Sequence, residues 1–317
     1  MRAGLGSQRR LQRIPEVSVG RTWPINSSKS SKPLDWNTMR SNNVVQLLVS
    51  VIIPTFNSGK FLEACLESLK RQTWREMEVI IVDDGSMDST LEIAKIHECR
   101  VIKNPKRGRA EAKNEGIRRS LGEYLLFIDS DMELHNNVTN ECIELVKRNQ
   151  RIGGVVIPER SVGSNFWVKV RDFERSFYAG STAESARFFP ARLAKDVGGF
   201  EEGVVFFEES TLPHKIQRKG FNVSARIESV ILHHEEDFSL AKWLRKKFYY
   251  GESIQSYKRK YGDYFQAQTS LWGRIGLFLR EWRRFSGKRR LAFGVVVLKS
   301  LEYLAAVSGS VYSVLKS

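Results

Sequence analysis

The chain has 317 residues, of which 41% are hydrophobic and 11% aromatic, so it can bury a sizeable core and is neither a disordered nor a collagen-like protein. Three cysteines without a CxxC pair exclude a disulfide-stapled secreted domain and a zinc ribbon, and the N-terminus has no apolar signal-peptide run, so we expect a cytoplasmic protein. The net charge of +15 divides into +6 over residues 1–40, −3 over 41–240 and +12 over 241–317, which fits an anionic membrane surface at least as well as nucleic acid.

The first half of the chain alternates between apolar runs and helical stripes. Residues 1–45 are rich in Ser, Arg, Asn and Pro, and they predict a disordered basic extension. Residues 47–53 (LLVSVII) form a continuous apolar run typical of a strand buried on both faces. The following residues predict helices over 58–72, 89–97 and 108–120, and strands over 79–82, 101–102 and 124–128. This alternation predicts βαβ units, an α/β fold and a mostly parallel central sheet.

The second half of the chain is less regular. It predicts strands over 154–158, 187–189 and 223–232, and helices over 166–178 and 210–218. Pro213 would lie in the first turn of the last of these helices, where proline is tolerated. Beyond Leu240 the chain is basic and is predicted to be helical to its end.

Polar residues follow three of the predicted strands at the point where each strand ends. They are residues 54–57 (PTFN), Asp83 with Asp84, and the run Asp129, Ser130, Asp131. Ligands of parallel α/β sheets bind beyond the carboxyl ends of the strands, so we expect a site there. Asp129 and Asp131 supply hard oxygen ligands suited to Mg²⁺ or Mn²⁺, with phosphates completing the coordination. The alternative is that these acids form turns or caps, Asp83 or Asp84 at the helix that starts near Ser89.

Both common glycine-rich phosphate-binding motifs are missing from the sequence. No G-x-G-x-x-G follows the first strand, and no G-x-x-x-x-G-K-[ST] occurs. Any phosphates must therefore be bound by a metal and by side chains.

Three segments together resemble the family 2 glycosyltransferases of the GT-A fold. They are residues 50–57 (SVIIPTFN), 79–86 (VIIVDDGS) and 127–131 (FIDSD), and their order and spacing match the family across roughly residues 48–235. The resemblance implies a UDP- or GDP-sugar donor, a divalent Mn²⁺ or Mg²⁺ and inversion at the anomeric carbon. It also implies a GT-A catalytic domain over 46–238, with a nucleotide-sugar half (46–135) and an acceptor half (136–238), followed by a basic helical region over 239–317.

The resemblance assigns the donor site to the three strand ends. It places Pro54 and Phe56 in the base pocket and Asp84 at the edge of the base, and it includes Asn57 and Asp83 among the residues that bind the nucleotide sugar.

The same resemblance brings Asp129 and Asp131 to the ribose and the metal-bound diphosphate. The Arg-Asn pair that the family carries in its third helix is Lys113 followed by Asn114 in this sequence, and the resemblance implies that both bind the nucleotide sugar. Lysine keeps the positive charge of arginine but lacks its bidentate fork.

Two further segments resemble the acceptor side of the family. Residues 198–202 (GGFEE) are similar to its glycine-rich acceptor loop, and Glu208 with Glu209 to its Glu-Asp pair. The resemblance makes Glu209 the base that deprotonates the acceptor, a role that a carboxylate can fill. The alternative is a pair of exposed acids at a helix N-terminus, where the helix dipole favours them.

One of two adjacent histidines would complete the site. The resemblance implies that His233 or His234 binds the metal or contacts the diphosphate, and the alternative for each is a capped or partly buried histidine. Residues 247–251 (KFYYG) resemble the segment that closes over the donor.

The C-terminal region predicts contact with a membrane. Residues 292–315 are apolar over the length of a spanning helix, but Lys299 and Glu302 interrupt them, and each charge at the centre of a span costs roughly 2.5–3.5 kcal/mol. Six cations and two aromatic residues stand in residues 280–290. The pattern predicts a monotopic helix on the inner face of the cell membrane, near a polyprenyl-linked or other glycan acceptor. The alternative is that these helices pack on the core.

We expect one sugar to be transferred per acceptor, because the sequence lacks the Gln-x-x-Arg-Trp motif and the several spanning helices of the processive synthases in this family. Two other functions are open. A sugar-1-phosphate nucleotidyltransferase would carry a glycine-rich basic loop after the first strand, which residues 54–59 do not provide. A non-catalytic nucleic-acid-binding protein is favoured only by the overall positive charge, and the central charge of −3 argues against a nucleic-acid partner.

Overall fold

The structure is a computed structural model that describes residues 47–104, 108–181 and 183–316. The extension predicted to be disordered, residues 1–45, lies outside this part of the chain. The strands of the main sheet are β1 Val49–Thr55, β2 Met77–Asp83, β3 Arg100–Lys103, β4 Tyr124–Phe127, β6 Val155–Val156, β8 Ala186–Pro190 and β9 Ala225–Arg226. Their order in the sheet is β3-β2-β1-β4-β8-β6-β9.

The main sheet is mostly parallel, as the sequence predicts. β1 pairs in parallel with β2 and β4, β2 pairs in parallel with β3, and β6 pairs in parallel with β9. β8 runs antiparallel to its neighbours β4 and β6. The carboxyl ends of β1, β2 and β4 therefore share one edge of the sheet, and the three polar strand ends found in the sequence meet there.

Alternate residues of β1 enter two apolar cores on the two faces of the sheet. Val51 and Ile53 pack in one core and Ile52 in the other, and all three are fully buried. The first core includes residues of α1 (Leu62–Lys70) and α4 (Val138–Arg148). The second includes residues of α3 (Arg109–Arg119), α6 (Ala191–Asp196) and α7 (Glu208–Arg218). A strand covered by helices on both faces requires the continuous apolar run seen in residues 47–53.

A second sheet consists of three short strands, β5 (Met132–Leu134), β7 (Glu159–Val162) and β10 (Ile231–His234). β10 lies in the middle, antiparallel to β5 and parallel to β7. Because His233 pairs with Met132, this register brings β10 to the residues that follow β4. The sequence did not predict β5, β7, α4 or α6.

The single strand predicted over 223–232 is wrong, because the chain forms β9 and β10 in two different sheets. A turn at Glu228 and Ser229 separates them. The backbone N–H groups of both residues donate to the carboxylate of Glu141 in α4, at 3.0 and 2.9 Å. These bonds take the place of ladder bonds, so the strand is interrupted there despite its β-branched residues.

The predicted position of Pro213 is also wrong, because α7 begins at Glu208 and Pro213 lies inside the helix. Proline has no N–H, so the carbonyl of Glu209, four residues earlier, lacks its helical donor. The Ser185 hydroxyl donates to that carbonyl at 2.9 Å. This bond satisfies the carbonyl, and the helix includes both Glu208 and Glu209 in its first turn.

The chain is helical beyond residue 239, as predicted. The helices there are α8 Leu240–Thr269, α9 Leu271–Arg280, α10 Arg283–Ser286 and α11 Arg289–Lys316; the two remaining helices are α2 Thr90–Ile96 and α5 Phe166–Arg175. α8 and α11 touch through their backbones, since a Cβ on Gly309 would overlap the carbonyl of Phe248. Val295 and Leu298 of α11 pack against α5. One face of α11 therefore packs on the core, as the packing alternative requires.

Candidate active site

A cavity of about 930 Å³ borders the carboxyl edge of the main sheet. Charged residues of five elements or their flanks form one side, which we call the carboxylate wall: Arg109, Lys113, Asp129, Asp131, Arg187, Glu208, Glu209 and His233. Residues of α8 and α11 form the other side, which we call the helical wall: Trp243, Lys246, Lys247, Tyr250, Lys299, Glu302, Tyr303, Val307 and Val311.

Asp129 and Asp131 follow β4 in a tight turn, in which the N–H of Met132 donates to the Asp129 carbonyl at 3.1 Å. Both aspartates line the cavity. Asp131 Oδ2 lies 3.2 Å from His233 Nε2. Asp131 Oδ1 is buried and has no hydrogen-bond partner in the part of the chain that the structure describes. A buried carboxylate oxygen without a partner is unfavourable, so this atom marks a position for a ligand.

Asp129 is surrounded by positive charge. Burial alone would raise the pKa of its carboxyl, but Arg187, Lys113 and Arg109 outweigh burial and lower that pKa to about 2. Arg187 Nη2 lies 3.5 Å from Asp129 Oδ2. Asp129 is therefore negatively charged at neutral pH.

The two candidate histidines have different surroundings, because adjacent residues of a strand point to opposite faces. His233 contacts Asp131, and its Nδ1 lies 3.2 Å from Arg175 Nη2. Burial opposes a proton on His233, but hydrogen bonds to Asp131 and Glu159 outweigh burial and raise its pKa to about 9. His234 lies between Glu133 and Glu236, at 2.7 and 2.9 Å. The structure thus brings His233 to Asp131, whereas His234, which also borders the cavity, contacts Glu133 and Glu236.

An ion-pair network that the sequence did not predict lies behind these residues. Glu159 of β7 accepts from Arg187 at 2.6 Å and also from Arg175 of α5. Glu235 accepts both bonds of a bidentate pair from Arg171, at 2.8 and 2.6 Å. Burial would raise the pKa of Glu159, but Arg187 and Arg175 hold it well below its ordinary value. No local pattern marks these residues, because the partners stand 16 to 64 positions apart.

Lys113 and Glu208 form a buried ion pair, with 2.9 Å between Nζ and Oε1. Lys113 Nζ also lies 5.0 Å from the ring centroid of Phe200. The pair joins α3 to α7, and each residue neutralises the other. Arg109, the first residue of α3, lines the cavity beside this pair and was not predicted from the sequence.

Glu209 faces the cavity from the first turn of α7. The preceding Phe207 has φ of +52°, a left-handed conformation that is unusual for a large side chain and sets the direction in which the helix begins. Glu209 is accessible from the cavity. The protein around the cavity nevertheless displaces much of the water, and this burial, together with the charge of Glu208, raises the pKa of Glu209. A raised pKa makes a carboxylate a better general base.

Asn114 lies beneath the loop of residues 198–202 and does not line the cavity. Its Nδ2 donates to the Phe200 carbonyl and to Glu202 Oε1, at 3.0 and 2.9 Å, and its Oδ1 accepts from the Phe200 N–H at 2.8 Å. Gly199 has φ of +70°, and a Cβ there would overlap the Asn114 side chain. Asn114 therefore fixes this loop, and its side chain is not directed into the cavity.

Five of the residues predicted to bind the nucleotide sugar, Pro54, Phe56, Asn57, Asp83 and Asp84, lie at the ends of β1 and β2 and outside the cavity lining. Phe56 is 57% exposed, so its ring is free to stack. Asn57 accepts from the Met87 N–H at 2.9 Å, and its φ of +49° shapes the loop after β1. Pro54 is half-buried.

Asp83 and Asp84 have different roles at the end of β2. Asp83 is buried and accepts from the N–H groups of Gly85 and Ser86, at 3.1 and 2.9 Å, so it forms the turn. Asp84 is half-buried and accepts from Asn104 Nδ2 at 3.1 Å. At the start of α2 the N–H of Thr90 donates to Asp88, which takes the place that Asp83 would have as a cap.

The metal site predicted from the sequence is only partly formed by the protein. In residues 47–104, 108–181 and 183–316, no three His, Cys, Asp or Glu side chains are grouped closely enough to bind an ion alone. Asp129, Asp131 and His233 nevertheless border one corner of the cavity, where Asp131 Oδ1 has no partner. These residues fit a divalent cation that takes its further ligands from phosphates or water.

Residues 50–200 match the family model described as Glycosyl transferase family 2. These residues form a glycosyltransferase family 2 domain. The glycosyltransferase class predicted from the sequence is thus confirmed for this part of the chain, in place of the nucleotidyltransferase alternative. GlyG, a glycosyltransferase of Streptococcus pneumoniae, is 35% identical over 136 residues, which are 40% of this chain and 45% of GlyG. The aligned residues span under half the length of GlyG and of several other curated relatives.

Solved structures confirm the predicted GT-A fold. The mannosyltransferase PcManGT of Pyrobaculum calidifontis, in complex with GDP-Man and Mn²⁺, has a TM-score of 0.61 at 17% identity, over 85% of this chain and 87% of that one. TarS of S. aureus (residues 1–349), in complex with UDP-GlcNAc, has a TM-score of 0.50 at 18% identity, over 82% of each chain. At such identities the likeness concerns the fold.

Proposed function

We propose that the protein is a metal-dependent, inverting, non-processive glycosyltransferase. It would move a sugar from a UDP- or GDP-sugar to a hydroxyl or phosphate of a lipid-linked acceptor, at the cytoplasmic face of a membrane. One observation carries the proposal: Glu209, an accessible carboxylate with a raised pKa, borders the same cavity as Asp131, whose Oδ1 has no partner among the described residues.

The proposed reaction is a direct displacement. An acceptor hydroxyl oxygen forms a bond to the anomeric carbon, while the bond from that carbon to the diphosphate oxygen breaks and the diphosphate takes the electron pair. The hydroxyl proton passes to Glu209. Attack from the face opposite the diphosphate inverts the anomeric configuration. Glu208 supports this step indirectly, because its pair with Lys113 fixes the first turn of α7.

Asp129 and Asp131 would hold Mn²⁺ or Mg²⁺, joined by His233 once it has lost the proton that its raised pKa gives it at neutral pH. Such an ion, when bound, neutralises charge on the leaving diphosphate. Arg187 and Glu159 fix the carboxylate of Asp129, because Arg187 contacts both Asp129 and Glu159. Arg109 adds a positive charge that borders the cavity, where it would attract phosphates.

Two lines of support concern the donor. PcManGT is described with GDP-Man and Mn²⁺, and TarS with UDP-GlcNAc, on the fold that this chain shares. In this chain the exposed ring of Phe56 and the half-buried carboxylate of Asp84 follow β1 and β2, at the same edge of the sheet as Asp129. They offer a surface for stacking a base and an acceptor for its edge hydrogen bonds.

The outer face of α11 supports the membrane part of the proposal. Its exposed apolar side chains are Phe293, Val296, Leu304, Val307, Val311, Tyr312, Val314 and Leu315. Lys299 and Glu302 point inward instead, where Lys299 pairs with Glu174 and with Glu302. α11 is also long and apolar enough to cross a membrane, by length and composition. A helix with one packed face and one exposed apolar face, with four cations just before it and two in its first turn, suits the headgroup region of an anionic bilayer.

A donor panel tests the catalytic proposal. Purified full-length protein is incubated with UDP- and GDP-sugars and Mn²⁺, and release of UDP or GDP is measured. We expect slow hydrolysis of one donor, and its loss in EDTA. Release that is unchanged by EDTA would contradict the metal dependence, and an absence of nucleotide binding and release across the panel would contradict the function.

A further inference from the structure

The cavity does not end at the carboxylates, and it continues along the helical wall to the surface of α11. Tyr303, Ala306 and Ser310 line this end together with Val307 and Val311. Val307 and Val311 are 59% and 52% exposed, so they belong both to the cavity and to the outer apolar face of α11. The polar site and that apolar face are therefore two ends of one continuous surface.

Two lysines, Lys246 and Lys247, stand between these two ends. Lys246 and Lys247 line the cavity, and neither has a carboxylate within 4.0 Å in the described part of the chain. Their close neighbours are aromatic: Lys247 Nζ lies 4.4 Å from the Trp243 ring centroid and Lys246 Nζ 5.6 Å from that of Tyr250. Lys299, on the facing helix, is bound by Glu174 and Glu302.

The acids nearest to the two lysines are already engaged or distant. Glu302 influences Lys247 from beyond ion-pair distance, and it accepts from Trp243 Nε1 at 2.5 Å and from Lys299 at 2.8 Å. Lys246 faces Arg109 and Arg171 as well as Asp129 and Glu209. A second polar group without a partner lies at the same wall: the buried hydroxyl of Tyr303 has no hydrogen-bond partner among the described residues.

We propose that the helical wall binds the phosphate of a polyprenyl-phosphate-linked acceptor, with Lys246 and Lys247 as its cationic ligands and Val307 and Val311 as the first contacts of its apolar chain. Charge complementarity supports this occupant, because unpaired cations favour an anion and the adjoining apolar surface favours a hydrocarbon chain. The sugar of the acceptor would then extend toward Glu209. This inference rests on the proposed function, and it names the acceptor class and the residues that recognise it.

The test uses full-length protein and farnesyl phosphate as the probe, with farnesol and inorganic phosphate as comparisons. Binding is measured by isothermal titration, and binding of the nucleotide-sugar donor is measured in parallel. The variants are Lys246→Gln, Lys247→Gln and Val307→Ser with Val311→Ser. Lys242→Gln, an exposed lysine of the same helix that does not line the cavity, is the matched control.

We expect farnesyl phosphate to bind at least ten times more tightly than farnesol or inorganic phosphate. A hydrogen bond to a charged group accounts for roughly 10- to 100-fold in affinity, so each lysine variant should weaken farnesyl phosphate by about that factor. The valine variant should weaken farnesyl phosphate and leave inorganic phosphate unchanged. Donor affinity should remain at the wild-type value in all variants. The control Lys242→Gln should also bind farnesyl phosphate with wild-type affinity.

Three outcomes would overturn the inference while leaving the proposed function intact, provided that the donor still binds and is hydrolysed. The first is that farnesyl phosphate binds no more tightly than farnesol, or that neither of them binds. The second is equal binding of farnesyl phosphate and inorganic phosphate, which would indicate a free-phosphate site. The third is full farnesyl phosphate affinity in Lys246→Gln, which is the more exposed change and the less disruptive to folding. A lysine variant that weakens the donor as much as the probe would assign the lysines to the donor diphosphate instead.

Discussion

The two walls of the cavity differ in how their charges are balanced. On the carboxylate wall most charges have a partner, since Lys113 pairs with Glu208 and Arg187 with Glu159. On the helical wall Lys246 and Lys247 lie against aromatic rings, without a carboxylate at ion-pair distance among the described residues. A wall that is already neutralised fixes the geometry of reacting groups, whereas a wall with unpaired cations is suited to bind an anion. Changes in the carboxylate wall should therefore affect the rate of sugar transfer, and changes in the unpaired lysines of the helical wall should affect binding of the anionic acceptor.

The largest expected effect concerns Asp131. Asp131→Asn removes the negative charge of the carboxylate whose Oδ1 has no partner among the described residues. A metal ion on a leaving group contributes several kcal/mol to the rate, so turnover should fall by at least about 10³-fold. Release of UDP or GDP measures this. Asp196→Asn, an exposed aspartate of α6, is the control and should retain wild-type turnover. Full activity of Asp131→Asn in EDTA would refute the assignment.

A change of Glu209 should reduce the rate without reducing donor affinity. Glu209→Gln keeps the shape of the side chain but removes the proton acceptor, so transfer should fall by on the order of 10²–10⁴-fold. Glu209→Asp retains a carboxylate, as the family's usual acid does, and should restore much of the rate. The measurement is steady-state transfer together with the donor Kd. An equal loss of rate and donor affinity would place Glu209 in the donor pocket.

The one strongly paired cation of the helical wall should matter for stability. Lys299→Met leaves Glu174 and Glu302 buried without their shared partner, and breaking a buried pair in this way costs roughly 3–5 kcal/mol. Urea denaturation measures the free energy of unfolding. Lys242→Met, which alters an exposed lysine, should change it by less than about 0.5 kcal/mol. A similarly small change in Lys299→Met would show that the buried pair does not stabilise the helical wall.

The outer face of α11 should determine membrane binding. Val296, Leu304 and Leu315 are exposed, and replacing all three by serine should abolish flotation with phosphatidylglycerol liposomes at low salt. The matched control carries serine at Met87, Ile96 and Leu121, three exposed apolar residues outside the C-terminal helices. This variant should still float. Flotation of both variants, or of neither the wild type nor the variants, would argue against a membrane contact through α11.

The smallest expected effect is a pH dependence from Lys247. Burial is the main reason that its pKa falls from 10.5 to about 8. Between these values the unfolded chain binds more protons than the folded one, so this lysine makes stability rise with pH in that window, by at most about 3 kcal/mol. Denaturation curves of the wild type and of Lys247→Met, compared from pH 7 to pH 10.5, should diverge. Parallel curves would show that Lys247 keeps its ordinary pKa.

The part of the fold that the sequence predicts is the part with local patterns. Strands β1, β2 and β4 carry continuous apolar runs because helices cover both faces, and the strand ends are marked by Asp83 and by Asp129 with Asp131. β5 (MEL) and β7 (ERSV) are short and contain charged residues, so neither has the continuous apolar run that marks β4 (YLLF). The break between β9 and β10 depends on Glu141, which is 87 positions from Glu228, and such a distant partner leaves no local trace.

The candidate site divides in the same way. The motif residues Asp129, Asp131 and Glu209, which the sequence marks locally, border one cavity. Arg187 could not be predicted, because its role depends on Glu159, which is 28 positions away on another strand. The hydrogen bonds of Asn114 to Phe200, 86 positions away, could not be predicted for the same reason.

The most direct test of the central claim is a titration of Mn²⁺ followed by electron paramagnetic resonance, which reports free Mn²⁺. The described residues do not provide three grouped protein ligands, so the protein alone should bind Mn²⁺ weakly. Addition of the UDP or GDP that corresponds to the active donor should strengthen binding at least about tenfold, because the diphosphate supplies the further ligands. Asp131→Asn should abolish this gain. Nucleotide binding that is independent of Mn²⁺ and unaffected by Asp131→Asn would contradict the account.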